Sequence, residues 1–265
     1  MKHKQAGFTL VELSIVLVIL GLLVGGVLTG QTLIRSAELR ASMGEFQRYT
    51  TAVYAFRDKY FALPGDMNNA TSFWGSAGGT GSDDTCKNTV STTIATCNGD
   101  GDGQIKGSGS GYANSNEYFR FWQHLANAGL IEGQYTGTDG RNSSASNTQL
   151  VSRLNMPSSK IGNGIFWWAY YDAAAAGTTV NFASPGGNKF RITTSGSTGA
   201  YNAEEAWNVD VKMDDGLPGS GKMMVFKGNA ATPVTTAFDV APPGDAGATY
   251  NFAVKDRIVN PWIWF

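Results

Sequence analysis

The chain begins with an apolar run unlike the surface of any helix in water. Between residues 13 and 34 there is no charged side chain, and most positions are isoleucine, leucine, valine or glycine. At about 1.5 Å per helical residue this run reaches roughly 33 Å, enough to cross a hydrocarbon core of about 30 Å. The pattern then changes without stopping. Leu39, Met43, Phe46, Val53, Phe56 and Tyr60 recur at spacings of three, four or seven, with Arg40, Glu45, Arg48, Arg57 and Asp58 mostly between them. That period predicts an amphipathic continuation, with one stripe facing a core and the charged positions facing water. Pro64-Gly65 ends it, so a single helix is expected over about residues 8–61. Gly21, Gly25, Gly26 and Gly30 lie in its apolar half. Each weakens a helix by about 1 kcal/mol relative to alanine. They serve either close helix approach, as in small-xxx-small packing, or local loosening.

Beyond Pro64 the texture turns to Gly, Ser, Thr and Asn, loosest over residues 74–114. A helix is predicted over 118–128, opened by Asn114 with Glu117, carrying Phe121, Trp122, Leu125 and Ala128 on one side and stopped by Gly129. Asn202-Ala-Glu-Glu-Ala-Trp207 reads as a short capped helix leading into residues 209–216. Strands are expected over 164–171, 189–193, 223–226 and 249–254. Trp167, Trp168, Tyr170 and Tyr171 suggest a sugar-stacking platform, but neighbouring strand residues face opposite ways, so core packing claims half of them. The ending Pro261-Trp-Ile-Trp-Phe265 is too apolar for water and should tuck into the sheet or contact another subunit. The fold class is therefore α+β, with a long N-terminal helix packed on a loop-rich antiparallel β-sheet domain.

Composition sets the environment. Of 265 residues, 34 are glycine and only 15% are charged, against about 25% in ordinary soluble domains, which argues against a cytosolic enzyme. Hydrophobic residues at 42% and aromatics at 12% are ample for a core. The formal charge of −1 lacks the basic excess of a nucleic-acid binder. Lys2, His3 and Lys4 precede the apolar run, which by the positive-inside rule places the N-terminus in the cytoplasm and everything after Arg35 across the membrane. The run exceeds a secretory h-region, and Gln31-Thr32-Leu33-Ile34-Arg35 is no small-residue cleavage site. Export makes Cys86 and Cys97, which enclose a short polar loop, read as one disulfide, with two free thiols as the alternative.

Glu12 breaks the apolar pattern one turn into the helix. An ionisable group there is expensive and usually functional, and it needs a cationic partner. The nearest would be the α-amino group released if the chain were cut just before Phe8. Ala6-Gly7-Phe8-Thr9-Leu10-Val11-Glu12-Leu13, followed by the long apolar run, resembles the class III signal of type IV pilins and of the pseudopilins of type II secretion systems. The resemblance covers about residues 1–60. It implies a pilin-like fold and a prepilin peptidase that cuts after Gly7 on the cytoplasmic side and methylates Phe8. It also implies that Glu12, with Thr9 beside it, meets the N-terminal amine of a neighbouring subunit during assembly. Many members carry a proline in the membrane half of this helix; here none precedes Pro64, and the glycines are left to supply flexibility. The implied layout is a leader over 1–7, a transmembrane and filament-core helix over 8–34, its amphipathic half over 35–63 and an exported domain over 64–265.

Two acidic segments carry candidate metal chemistry. Asn98, Asp100 and Asp102 at alternate positions, then Gly103, Gln104 and Ile105, resemble the first half of an EF-hand loop. Position 12 counted from Asn98 is Gly109, so Glu117 or a carboxylate from elsewhere would have to finish a Ca²⁺ site. Calcium stabilisation of pseudopilin loops is also what the resemblance implies, against a plain Asx-rich turn. Asp210, Asp214 and Asp215 read as a solvated acidic turn, with metal as the weaker alternative. On a helix Asp210 and Asp214 would share a face and repel unless a cation, Lys212 or Lys222 compensates. His124 reads as a hydrogen-bonded structural residue.

There is no Walker loop, HExxH, Gly-x-Ser-x-Gly or CxxC pattern, and His3 would leave with the leader, so no enzyme is expected. The expected function is that of a filament subunit, held by membrane lipid before an inner-membrane assembly platform carries it into a periplasmic or extracellular filament. An exported part of about 200 residues is large for a major pseudopilin and favours a minor or specialised subunit. The alternative is a membrane-anchored protein that binds a glycan or other ligand without polymerising.

Overall fold

The computed structural model describes residues 9–78, 91, 93–106, 116–138, 154–162, 164–173, 182, 185–194, 199–227, 238–239, 248–253, 255–256 and 259–265. Helix α1 (Leu10–Tyr60) is one continuous element of 51 residues. Among the described residues no side chain before Arg35 is buried, whereas Ser42, Glu45, Phe46, Tyr49, Ala52, Val53 and Phe56 are, on one face of the helix. The helix stops at Phe61, whose φ of 55° is left-handed and whose N–H returns to the Arg57 carbonyl. Glu45 corrects the sequence pattern, which left it on the solvent side: it is 4% exposed.

Among the described residues three shorter helices follow, α2 (Thr71–Trp74), α3 (Asn116–Asn127) and α4 (Ala203–Met213). The strands are β1 (Ile165–Asp172), β2 (Gly187–Thr194), β3 (Met223–Lys227), β4 (Phe238–Asp239), β5 (Thr249–Tyr250) and β6 (Val259–Trp264). Four of them form an antiparallel sheet in the order β1-β2-β6-β3, and β4 pairs with β5 alone. Register runs from Ile165 opposite Thr194 to Asp172 opposite Gly187, and from Met223 opposite Ile263 to Lys227 opposite Val259.

The apolar stripe of α1 meets this sheet and α3 through aromatic rings. Tyr49 lies 5.0 Å from Trp122 and 5.5 Å from Trp167, and Phe46 lies 6.0 Å from Phe190. Most of these pairs are edge-to-face, the arrangement that aromatic quadrupoles favour. A long apolar helix packed on an antiparallel sheet is the α+β architecture that the resemblance implies.

Two expectations need correction. The strand over 249–254 shrinks to Thr249–Tyr250, because the Asn251 side chain accepts the Ala253 N–H (2.9 Å) and turns the chain. The apolar ending tucks into the sheet, as expected, and forms its inner strand β6. Pro261 is tolerated in β6 because β2 pairs only with Trp262, Ile263 and Trp264, leaving the proline flanked on one side. Helix α4 continues through Asp210 to Met213, and Asp210 is fully buried where a solvated turn was expected. Trp167 and Trp168 are both buried as well, so β1 presents no open platform of four rings.

Candidate functional sites at the helix head and in two acidic loops

Thr9 is the N-cap of α1, in extended backbone conformation. Its hydroxyl accepts the Glu12 N–H (3.2 Å), while Glu12 Oε2 accepts both the Thr9 N–H (2.8 Å) and the Thr9 hydroxyl (2.7 Å). This capping box satisfies amides that a helix start leaves orphaned, and it puts a carboxylate on the positive end of the helix dipole. Gly7 and Phe8 lie outside the described residues. The hydroxyls of the apolar half bond within the helix, Ser14 to the Val11 carbonyl (2.8 Å), Thr29 to Gly25 (3.0 Å) and Thr32 to Thr29 (2.8 Å). That leaves this surface fit for lipid or for other helices.

Where the apolar run ends, Arg35 ties the helix to the domain. Its Nε and Nη2 donate to the two carboxylate oxygens of Glu205 (2.5 and 2.9 Å), and its Nη1 donates to Glu38 (2.8 Å) and to the Ile161 carbonyl (2.9 Å). Glu205 is also the capping-box acid of α4 with Asn202, so one arginine joins two helices. Ten residues on, buried Glu45 accepts from the Ser159 hydroxyl (2.8 Å), the Trp167 indole N–H (3.0 Å) and the Lys160 N–H (3.2 Å). Neither partnership is visible in local sequence.

Residues 2–28 match the family model of the prokaryotic N-terminal methylation motif. The chain carries a prepilin-type signal. Neither the curated proteins nor the solved structures gave a match. The match places the Thr9–Glu12 capping box inside the prepilin-type signal, and the Arg35 clamp just beyond it.

The part of the chain beyond Pro64 holds the two acidic segments. Around residues 98–106 the structure adds a residue that the sequence pattern missed, Asp66. Its Oδ1 accepts the N–H groups of Gly101 (2.7 Å) and Asp102 (3.1 Å), and its Oδ2 accepts that of Gly103 (2.9 Å). Gly65 and Gly99 allow this approach: a Cβ on Gly65 would sit 2.5 Å from the Glu117 carbonyl, and one on Gly99 2.4 Å from the Asp66 backbone. Asp66, Asp100 and Asp102 each offer a carboxylate oxygen within 4.8 Å of the others.

The other predicted ligands are engaged elsewhere. Asn98 accepts the Thr71 N–H (2.9 Å), and Glu117 accepts the N–H groups of Asp100 (3.2 Å) and Lys106 (2.6 Å). Gln104 donates its N–H to Asp102 (2.9 Å). The Lys106 ammonium pairs with Asp102 and lies 4.0 Å from Asp100. As folded, this loop is compensated by six amides and a lysine, and a cation would have to displace Lys106. Burial pushes Glu117 up to about 8 and Asp66 up to about 6, against the lowering effect of the amides that each accepts.

Asp210, Asp214 and Asp215 also offer oxygens within 4.8 Å of one another. Asp210 Oδ2 accepts the Tyr250 hydroxyl (2.7 Å), Asp214 Oδ2 accepts the Met223 N–H (2.8 Å), and Asp215 accepts the Leu217 N–H (2.9 Å) and the Ser220 hydroxyl (2.7 Å). Burial first, then the charges of Asp215 and Asp214, push Asp210 up to about 7, with the Tyr250 hydroxyl opposing. His124 is fully buried, its Nδ1 accepting the Gly65 N–H (3.0 Å) and its Nε2 2.9 Å from the Thr96 hydroxyl. Burial and the nearby Arg120 charge hold it down at about 3, so it is neutral. Cys97 is buried and Cys86 lies outside the described residues; no cysteine is free among the described ones.

Proposed function

We propose that the chain is a structural subunit of a type IV pilus or type II secretion pseudopilus, cut by prepilin peptidase after Gly7 and methylated on Phe8. The observation that carries this reading is a capped carboxylate, Glu12, within the methylation motif at the head of a helix half that buries nothing in its own chain. An all-apolar helix surface without a protein partner is stable in lipid before assembly and among equivalent helices after it. Cleavage would release an amine one residue before Thr9, whose N–H already faces Glu12. In a filament core the Glu12 carboxylate and the Phe8 amine of a neighbouring subunit compensate two charges that are costly alone. The second half of α1 holds the exported coat, in which we place a Cys86–Cys97 disulfide. The precursor sits in the inner membrane with its N-terminus in the cytoplasm, and the subunit's work is assembly.

Intact mass of membrane-extracted protein tests the processing step. Loss of residues 1–7 and gain of one methyl group is the expected result in a host with an active prepilin peptidase; an untrimmed chain there overturns it. Glu12→Ala tests assembly. The variant should fold and insert normally yet fail to enter filaments, and normal incorporation would refute the proposed pairing.

A further inference from the structure

In a chain whose residues 13–34 span the bilayer, Arg35 is the first charge after the apolar run and marks where α1 leaves lipid. The same side chain grips the first turn of α4 through both carboxylate oxygens of Glu205 and reaches the Ala200 carbonyl (3.4 Å). The start of α4 is thereby fixed at the membrane boundary. Helix α4 turns Ala203, Ala206, Val209 and Asp210 inward. Trp207 and Val211, one turn apart, stand on the opposite face, 37% and 50% exposed.

Phe252 joins them from the segment after β5. It is 45% exposed, and its ring packs edge-on against Trp207 with centroids 5.4 Å apart. Two ties hold it there: the Tyr250 hydroxyl donates to buried Asp210 (2.7 Å), and Lys255 pairs with Glu204 in the first turn of α4 (3.0 Å). That ion pair is neutral as a whole, so the patch asks for no anionic partner.

A membrane-spanning segment usually carries tryptophan or tyrosine where it crosses the headgroups. Helix α1 has neither from Leu10 to Arg48, and its one phenylalanine there, Phe46, is buried. It therefore brings no aromatic ring to the boundary beyond Ile34. The patch on α4 brings two. An indole suits that level because it joins an apolar body to a polar N–H, and no group among the described residues accepts the N–H of Trp207. Phe61 and Phe73 are also exposed, but they are at the wrong height. Phe61 caps the far end of α1, roughly 39 Å beyond Arg35 at about 1.5 Å per residue.

We propose that Trp207, Val211 and Phe252 form a lipid-facing foot that seats the domain on the headgroup boundary of a zwitterionic bilayer before assembly. The membrane-spanning helix already holds the chain in the bilayer, so the foot adds orientation rather than attachment. Interfacial aromatic anchors set the tilt and rotation of a spanning helix, and here the Arg35–Glu205 clamp passes that constraint from α4 to α1. The foot rests on the reading that α1 spans the membrane, and the test separates the two.

The full chain is reconstituted in phosphatidylcholine vesicles and recovered by flotation. Its tryptophan emission is then compared in vesicles whose acyl chains carry bromine, a contact quencher, near the headgroup end or near the methyl end. Bromine near the headgroups should quench the parent more strongly. Trp207→Phe, a conservative change at a partly exposed position, should remove at least half of that quenching. Trp74→Phe, beside Tyr60 (5.3 Å) toward the far end of α1, should remove none. Val211→Asp keeps Trp207 but charges the patch, and should lower the quenching at least twofold without affecting flotation. A chain that floats yet is quenched no more by brominated than by plain lipid overturns the foot and leaves the spanning helix standing. So does headgroup-level quenching that survives Trp207→Phe. Emission from Trp207 that changes only on filament assembly assigns the patch to a second copy of the chain and overturns the lipid reading. A chain that fails to float overturns the spanning helix, and the foot with it.

Discussion

The two halves of α1 obey opposite rules within one uninterrupted helix. Before Arg35 every large apolar side chain from Leu10 to Ile34 is exposed, and the polar groups are met inside the helix itself. From Arg35 on, the stripe Phe46, Tyr49, Ala52, Val53 and Phe56 is buried, and Arg35 and Glu45 are met by residues over a hundred positions away. The first half is unfinished as a monomer; the second is complete. A helix of this kind makes each half answer to a different partner, the first to lipid or other subunits and the second to its own domain. Arg35 is the hinge of that division, chemically though not geometrically, because the backbone passes through it unbroken.

The comparison is broken most directly at Glu45. Glu45→Ala removes the shared acceptor of Ser159, Lys160 and Trp167, and buried donors left unmade cost about 1–3 kcal/mol each. A loss of about 3 kcal/mol or more in urea unfolding of the detergent-solubilised chain is expected, with the membrane half still inserted. Arg35→Ala should cost less, about 1–3 kcal/mol, because its carboxylate partners retain some solvent: the side chains are 17% and 13% exposed for Arg35 and Glu205. Arg35→Lys should recover little of it, since an ammonium cannot span both Glu205 oxygens. If either variant alters membrane insertion instead of domain stability, the two halves are not separate.

How much of this was legible follows the range of the interactions. The period of α1 and its end at Pro64-Gly65 are local, and so are the Asn202 and Glu205 cap of α4 and the strands near 164–171, 189–193 and 223–226; the structure returns them within a few residues. Glu45 was misplaced because a charged residue at the edge of an apolar stripe looks solvated until a distant indole and hydroxyl are known to face it. Asp66 was missed for the same reason: its three amides lie more than thirty residues on. The only local hint was an aspartate directly after a Pro-Gly turn. That residues 261–265 enter the sheet was legible from their apolar character, but their place as an inner strand was not, because it depends on β2 stopping short of Pro261.

Acid should reach the two halves differently, the first only through Glu12 at its head and the second through groups buried against it. Residues 13–34 contain no titratable side chain, whereas the second half stacks Phe56 on His124, ring centroids 6.3 Å apart. His124 sits near 3 in the fold against about 6.5 in an unfolded chain. Its contribution is therefore complete above pH 6.5 and is lost as pH falls from there toward 3. Glu117, raised to about 8, works the other way, its contribution present at low pH and lost as pH rises through 8. In NMR the imidazole of His124 should show no titration between pH 8 and pH 5; a midpoint near 6.5 would mean that it is not buried and neutral.

The smallest effect on the monomer probes the unfinished half. A Cβ at Gly21, Gly25, Gly26 or Gly30 would meet nothing within 4 Å, so no contact inside the chain requires a glycine there. Gly25→Ala should leave the unfolding of the domain beyond Pro64 unchanged and strengthen the helix by up to about 1 kcal/mol. If these glycines serve a neighbouring helix, the same change lowers the fraction of subunit that sediments with filaments, although the monomer is no weaker. Unchanged incorporation would instead assign the glycines to loosening the helix, because a methyl group tolerated in the assembled core cannot be blocking a close approach.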